Sequence, residues 1–333
     1  MNKVDLIYYS KLSKIFKPFS GIGHVLLFHR VCNDNENQVT KGLQVTQEYL
    51  DRVIQYFISR KIDIISLDEC YNRIISKATV RRFVVFTFDD GYADNLTHAL
   101  PVFERYNAPF SVFLATGFPD YSVILWWYLL DNLVMNTDRI EFLYGDDIYC
   151  FRTETLNEKT DAFGKIRNFI LESNQEDCLT RLAAVFNGEP KDLLALTKKL
   201  ALTWDQVREL SKNPLVTIGA HTVNHLALSK LNEGKVIKEI TDSIRIIQEQ
   251  TGKPVSYLAY PIGTSAEASV REYNLSKQCN VKMAFTTERG NIFKHHAKYL
   301  QSLPRIGLNE RWRNSHIDLY INGLTPFIDR IVR

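Results

Sequence analysis

Two places in the 333-residue chain combine residue types suited to hydrolytic chemistry. The apolar run Phe83–Phe88 ends directly in Asp89-Asp90-Gly91, and the run Val216–Ala220 ends directly in His221-Thr222-Val223-Asn224-His225. Two imidazoles four residues apart share one face if the chain turns helical there, which would set both on one metal ion. Two histidines and one carboxylate with open positions form the donor set of hydrolytic zinc sites, and of ferrous iron as well. A second carboxylate, not a ligand, is then free to take a proton from water whose pKa the metal has lowered to roughly 7. Adjacent carboxylates point apart within a strand, so the pair converges only where the strand ends in a turn; Gly91 supplies the backbone freedom for one. Each signal also has a plain alternative. Asp-Asp-Gly is a common turn, and the His spacing arises by chance too. Their shared position at strand ends favours one site built from both.

In parallel α/β folds, residues just beyond the carboxyl ends of strands line the functional face. The surrounding sequence has that alternation. Strands are predicted at His24–Phe28, Phe83–Phe88, Pro109–Ala115, Val216–Ala220, Ser256–Ala259 and Lys282–Thr286. Helices are predicted over Tyr49–Ser59, over Asn95–Asn107 with a break or restart at Pro101, and near Ile317–Val332. Thr203-Trp204-Asp205-Gln206 matches a capping box. Lys235–Gln250 sets Val236, Ile237, Ile240, Ile244 and Ile247 on one helical face, and Gly252 and Pro254 stop that helix. Residues 118–202 lose the rhythm: Trp126-Trp127, an acidic turn at Gly145-Asp146-Asp147 and helical stretches from Lys159 to Lys199 read as a mainly helical insertion. No flexible linker flanks it, so the expectation is one α/β domain spanning 1–333.

Composition narrows the class of protein. Hydrophobic residues are 45% and charged residues 24%, with 15 glycines and 10 prolines, which excludes collagen-like and low-complexity chains. Lys plus Arg is 41 against 38 for Asp plus Glu, giving no electrostatic reason to invoke nucleic acid. The longest apolar run, Val123–Leu130, is eight residues, far below the roughly 18–20 of a membrane span. The first twenty residues carry scattered lysines without the apolar stretch and cleavage site of a secretory signal. Cys32, Cys70, Cys150, Cys178 and Cys279 are odd in number and include no C-x-x-C pair, so a reducing, cytoplasmic setting is expected. Residues 3–19 read either as an ordinary first helix or as a basic amphipathic segment in peripheral contact with a membrane.

Thr87-Phe88-Asp89-Asp90-Gly91 and His221-Thr222-Val223-Asn224-His225 resemble the first two signature motifs of the polysaccharide deacetylases, carbohydrate esterase family 4. Tyr260-Pro261-Ile262-Gly263 resembles the third motif in the Tyr-Pro-x-Gly form of one bacterial subgroup, and Leu303-Pro304-Arg305-Ile306 a late element of that subgroup. Phe28-His29-Arg30-Val31 is similar to the N-terminal Tyr-His-x-Val element of relatives that deacetylate exopolysaccharide. The likeness covers about 24–117 and 203–308.

The resemblance implies a distorted (β/α) barrel of seven or eight strands. It implies Asp90, His221 and His225 as metal ligands and Asp89 as general base. Tyr260, Pro261, Ile262, Gly263 and Arg305 are implied as substrate-site residues, with the Ile262 amide donating to the oxyanion. The expected metal is Zn2+, with Co2+, Ni2+ or Fe2+ compatible with the same donors. The family's late Leu-x-x-His motif, source of the general acid, has no clear counterpart here. His295, His296 and His316 stand in other contexts, so His29 is the candidate acid, its alternative being a histidine packed at a strand end. The third motif also lacks the arginine that holds the base aspartate in relatives. Arg305 is its candidate replacement, against a surface ion pair. Trp126, Trp127 and Tyr128 are open between a sugar platform and packing of the insertion, and Tyr92 and Asp94 are expected near the site. The expected activity is metal-dependent removal of an N-acyl group, acetyl foremost, from an amidosugar that is free, nucleotide-linked or lipid-linked. A deformylase of a lipid-linked aminosugar and a non-catalytic glycan-binding member of the fold are the alternatives.

Overall fold

Seven apolar segments become the parallel strands of one closed sheet in the computed structural model, which describes residues 16, 18–32, 39–76, 78–172, 177–188 and 190–325. The strands are β1 (Gly23–Phe28), β2 (Phe83–Phe88), β3 (Phe110–Leu114), β4 (Val216–Ala220), β5 (Tyr257–Ala259), β6 (Met283–Arg289) and β7 (Leu303–Gly307). They follow chain order around the ring, and β1 closes it by pairing with both β7 and β2. An eighth, two-residue strand, Asp63–Ile64, pairs with the start of β2 and takes no part in the closure. The fold is therefore a distorted (β/α) barrel of seven strands.

The two-residue period of a strand sorts each one into an inner and an outer face. Val25, Phe83, Val85, Phe113, Ala259, Phe285 and Leu303 share one buried cluster. The Phe113 and Phe285 rings, from strands that are not neighbours, meet at 5.5 Å, so this cluster fills the barrel. The alternate residues Leu26, Phe28, Val84, Phe86, Phe88 and Val112 pack outward against helices, among them Leu50, Val53 and Phe57 of the helix Gln47–Ser59. Gly219 of β4 is glycine for the sake of that filling: a Cβ there would lie 2.5 Å from the Phe113 ring.

β7 and the helix Leu67–Ile75 had no clear sequence signal. β7 contains Pro304, which lacks a donor and argues against a central strand; the pairing of β6 with β7 shifts register beside it. The helix Leu67–Ile75 is short and capped by Ser66, whose hydroxyl accepts from the Glu69 amide. The last described helix, Asn314–Ile321, begins earlier than predicted, and positions from 326 onward lie outside the described residues. The 3–19 segment lies almost wholly outside them as well. No helix among the described residues is long and apolar enough to cross a membrane. None of the five cysteines is in a disulfide.

Between β3 and β4 the chain builds the helices Trp126–Asn136, Leu156–Leu171, Cys178–Phe186 and Pro190–Leu200 around their own apolar cluster, which includes Leu130, Val134, Ile166, Ile170 and Leu182. A feature absent from the sequence reading is an antiparallel hairpin, Arg139–Tyr144 with Asp147–Arg152, turning at Gly145-Asp146. The end of this region returns to the barrel mouth, where the Leu202 amide donates to Gly91 O at 3.0 Å and the Ala93 amide to Leu200 O at 2.8 Å.

Candidate active site

The inner faces of three strands run on into one cluster. In β2 the inward series Phe83, Val85, Thr87 continues to Asp89; in β1, Val25 and Leu27 continue to His29; in β4, Gly219 continues to His221. Asp90 would point outward by that rule. It does not, because Asp90 itself takes a left-handed backbone (φ 74°), followed by Gly91 at φ 85°. The turn thus bends at both residues, not at the glycine alone, and brings the two carboxylates to one place.

The imidazoles converge by a different route from the one expected. Residues 221–225 form a loop, not a helical turn, with Thr222 at φ 65° and His225 at φ 52°. Left-handed non-glycine residues cost of order 1–3 kcal/mol each and persist only where the surroundings hold them. Here Glu239, buried on the helix Glu233–Thr251, accepts from the Val223 amide at 3.0 Å and the Asn224 amide at 2.9 Å. Its sequence signal is a carboxylate on the apolar stripe beside Val236 and Ile240.

Asp90 Oδ1 lies 3.4 Å from His221 Nε2 and 3.2 Å from His225 Nε2. His221 Nδ1 bonds Ala259 O at 2.7 Å, and a carbonyl only accepts, so Nδ1 carries the proton and Nε2 presents a lone pair in the neutral ring. Acceptor atoms facing each other call for a cation between them. Donor atoms about 2.0–2.1 Å from a tetrahedral zinc stand about 3.3–3.4 Å apart, so these residues fit a divalent metal. Burial pulls the His221 imidazole down, yet Asp89 and Asp90 carry it above its ordinary value, another sign that the cluster favours positive charge. The other oxygen of Asp90, Oδ2, accepts from Tyr92 Oη at 2.8 Å, and Trp127 Nε1 donates to that same hydroxyl at 3.1 Å. Burial opposes ionisation of Asp90, but the adjacent His221 and His225 imidazoles hold the carboxyl well below the usual range.

Asp89 is gripped from below. Arg305 Nη1 donates to Oδ1 at 2.7 Å and Nη2 to Oδ2 at 2.6 Å, while Arg305 Nε donates to Thr286 O at 2.9 Å. Both side chains are buried, Arg305 completely. Burial raises the carboxyl's pKa, and the guanidinium more than cancels that, leaving Asp89 below its ordinary value.

These groups open into a cavity of about 390 Å³ lined by His29, Asp89, Asp90, His221, His225, Ile262 and Thr287. Of the third motif, Ile262 alone faces it. Tyr260 corrects the expectation: it follows the outward side of β5, is fully buried, and its hydroxyl bonds Ser276 Oγ at 2.7 Å and Gln301 O at 2.9 Å. Pro261 and Gly263 shape the turn without lining the cavity, with Ile262 at φ 60° and Gly263 at φ 68°. Thr287 Oγ1 fixes the turn by donating to Ile262 O at 2.7 Å. Arg305 is likewise no substrate contact; it lies beneath Asp89, and the surface ion pair is ruled out by its burial. The His29 imidazole faces the cavity; burial drives its pKa down, against the pull of Asp90 and Asp89. Neither His295, His296 nor His316 lines it.

Besides the two tryptophans, the walls come from residues the sequence reading passed over. Phe163 and Arg167 of the helix Leu156–Leu171 line one side together with Trp126 and Trp127; Val39, Thr40, Gly42 and Leu43 line another. The two sides are joined, since Asp131 Oδ2 accepts from both the amide and the hydroxyl of Thr40 at 2.6 Å. The aromatic triplet divides as helical geometry requires. Trp126 and Trp127 face the cavity, with Trp127 4.9 Å from the His225 ring, while Tyr128 turns to the Arg30 guanidinium at 5.6 Å. Arg30 in turn pairs with Asp94 at 2.8 Å.

A barrel whose strand ends gather an Asp-His-His cluster above an arginine-held aspartate is the architecture of a hydrolase. The chain belongs to the polysaccharide deacetylase family, carbohydrate esterase family 4, whose sequence model matches residues 76–284; the members are hydrolases acting on amide bonds. That match contains both aspartates and both ligand-type histidines, but begins after His29 and ends before Arg305. A putative polysaccharide deacetylase of Bacillus subtilis, YxkH, is 24% identical over 123 residues, 37% of this chain and 42% of that protein's length. The chain shares its fold with the Streptococcus pyogenes deacetylase PplD, at 18% identity and TM-score 0.60 over 90% of this chain and 97% of that one. It also shares it with IcaB from Ammonifex degensii, at 13% identity and TM-score 0.58 over 91% and 97% of the two chains. A de-N-acetylase from Aggregatibacter actinomycetemcomitans is similar at 17% identity and TM-score 0.56, over 90% and 99%.

Proposed function

We propose that the protein is a metal-dependent N-deacylase that removes an acetyl group from an amidosugar used in making surface glycans or lipid-linked sugars. The observation that carries this reading is the Asp90–His221–His225 cluster beside Asp89, a buried aspartate that Arg305 pairs with and holds below its ordinary pKa. Asp90, His221 and His225 would hold the metal, zinc being the family's usual ion and cobalt, nickel or iron compatible with the donors. The bound ion would supply Lewis acidity, acidifying water and polarising the acyl oxygen.

Asp89 acts as the base in this reading. Its two oxygens are fixed by Arg305, so the carboxylate is oriented before substrate arrives, and its low pKa keeps it ready to accept a proton. The Ile262 amide, on a backbone turned left-handed and tied by Thr287, donates to the oxyanion. His29 faces the same space from the end of β1 and delivers a proton to the departing nitrogen. The amide C–N bond breaks, water contributes the new C–O bond, and the products are a carboxylate and a free amine.

The deciding experiment is metal analysis of the purified protein together with acetate and formate release from a panel of N-acylhexosamines. One equivalent of divalent metal with acetate release is expected. Formate release alone would mark a deformylase. Absence of hydrolysis across the panel in metal-replete protein would leave the glycan-binding alternative.

A further inference from the structure

The charges on the cavity floor already have partners. Asp89 is paired with Arg305, and Asp90 with the two histidines and the Tyr92 hydroxyl. The wall nevertheless carries a further cation, Arg167. It lies one turn from Phe163 on the helix Leu156–Leu171, and both face the cavity, whereas Ala162, Ile166 and Ile170 of the same helix face the insertion's core. Arg167 is half-buried, and among the described residues it forms no ion pair; its one polar contact is Nη1 to Asn168 Oδ1 at 3.5 Å, the limit of a hydrogen bond. Many arginines elsewhere in the chain are spent on carboxylates, as in Arg73–Asp63, Arg208–Asp205 and Arg245–Glu249, and Arg82 is spent on the Ile321 carbonyl. The remaining wall is mostly apolar and aromatic, with Trp126, Trp127, Phe163 and Leu43, and the hydroxyls of Thr40 and Thr287 are spent on Asp131 and Ile262 O. A planar guanidinium with free donors in a mostly apolar wall recognises an oxyanion, to which it can present two parallel donors.

We infer that Arg167 selects an anionic amidosugar, one carrying a phosphate or carboxylate group beside the N-acyl ring, and that the ring lies between the tryptophans and the Asp89–Asp90 floor. This deepens the proposed function and rests on its placing of the reacting centre. Nucleotide-linked, lipid-linked and uronic acid sugars share the oxyanion, so the substrate class is defined by charge and the carrier by comparison among probes.

The test is equilibrium binding to the metal-loaded protein, read by calorimetry and by tryptophan fluorescence, with hydrolysis measured separately. The probes are N-acetylglucosamine, N-acetylglucosamine 1-phosphate, UDP-N-acetylglucosamine and N-acetylglucosaminuronic acid. Bonds to a charged group are worth about 1.5–3 kcal/mol, so an anionic probe should bind about 10–100-fold more tightly than the neutral sugar. That ratio should collapse towards one in Arg167→Gln and survive in part in Arg167→Lys, which keeps the charge and loses the fork. The anionic probe bound best names the carrier. Equal affinities in the wild-type protein, an undiminished ratio in Arg167→Gln, or no binding of any anionic probe would each overturn the inference. Circular dichroism of both variants guards against misfolding, and the lysine variant decides if the glutamine variant unfolds. The ratio is read without turnover, so a protein that binds the anionic probe through Arg167 yet hydrolyses nothing would sink the proposed function and not this one.

Discussion

Arg305 meets Asp89 with both terminal nitrogens, at 2.7 and 2.6 Å, in a pair from which water is excluded on the arginine side altogether. The two residues stand 216 positions apart in sequence and come together because β2 and β7 both flank β1 in the closed ring. The arginine reaches Asp89 from inside the barrel, so the carboxylate keeps its outer surface for the cavity.

Removing one partner of a buried pair leaves an uncompensated charge, which costs about 3–5 kcal/mol. Arg305→Ala should therefore lower unfolding stability by about that amount at neutral pH, measured by urea titration. Asp89 is held below its ordinary pKa by Arg305, so the stabilisation is present above the carboxylate's unfolded value and is lost as pH falls through its folded one. The difference between Arg305→Ala and wild type should accordingly shrink in acid. A difference that stays constant down to the acid transition would contradict the pairing energetics.

Asp90→Ala, His221→Ala and His225→Ala should each lose bound metal and nearly all activity, since two histidines and one carboxylate leave no spare protein ligand. Mass-spectrometric metal analysis gives the answer. A full equivalent in folded His221→Ala would remove that residue from the ligand set.

Asp89→Asn should retain metal while kcat falls about 10²–10⁴-fold, because an amide of the same shape cannot accept the proton. The amide also loses the charge that Arg305 pairs with, so unfolding is measured alongside. Wild-type kcat in this variant would reduce Asp89 to a turn residue.

His29→Ala should keep metal and substrate binding, lower kcat about 10²–10⁴-fold and abolish the alkaline limb of the pH–rate profile. An acid must be protonated to act, and burial lowers this imidazole's pKa, so the limb belongs at lower pH than an ordinary histidine would set. An unchanged alkaline limb in the folded variant would move the acid role away from His29.

Tyr92→Phe deletes the hydroxyl that donates to Asp90 Oδ2 and receives Trp127 Nε1. Partners behind a metal ligand are worth about 10–100-fold in metal affinity, and that loss is expected here with the fold retained. Competition with a chelating dye measures it. Wild-type affinity would mean that the two histidines orient Asp90 unaided.

The division between sequence and tertiary structure follows the range over which each signal acts. β-Branched and aromatic runs made β1 to β4 legible because a buried strand is apolar on both faces, and the Thr203 capping box and Gly252 marked helix ends because caps are local. The residue types of the site were legible for the same reason: Asp89-Asp90 and His221…His225 are polar residues placed where apolar strands stop. β7 was hidden by Pro304, and the hairpin in 139–152 by its exposure, with Leu143 and Ile148 on the outside. How the carboxylates and imidazoles meet was settled by left-handed backbone at Asp90, Thr222 and His225, which no residue type announces and which contacts such as Glu239 sustain. The outward turn of Tyr260, the burial of Arg305 under Asp89 and the lining of the cavity by Arg167 and Thr40 all join residues far apart in the chain. Closure of the barrel chooses such partners, because it fixes at once which strands are neighbours and which of their faces point inward.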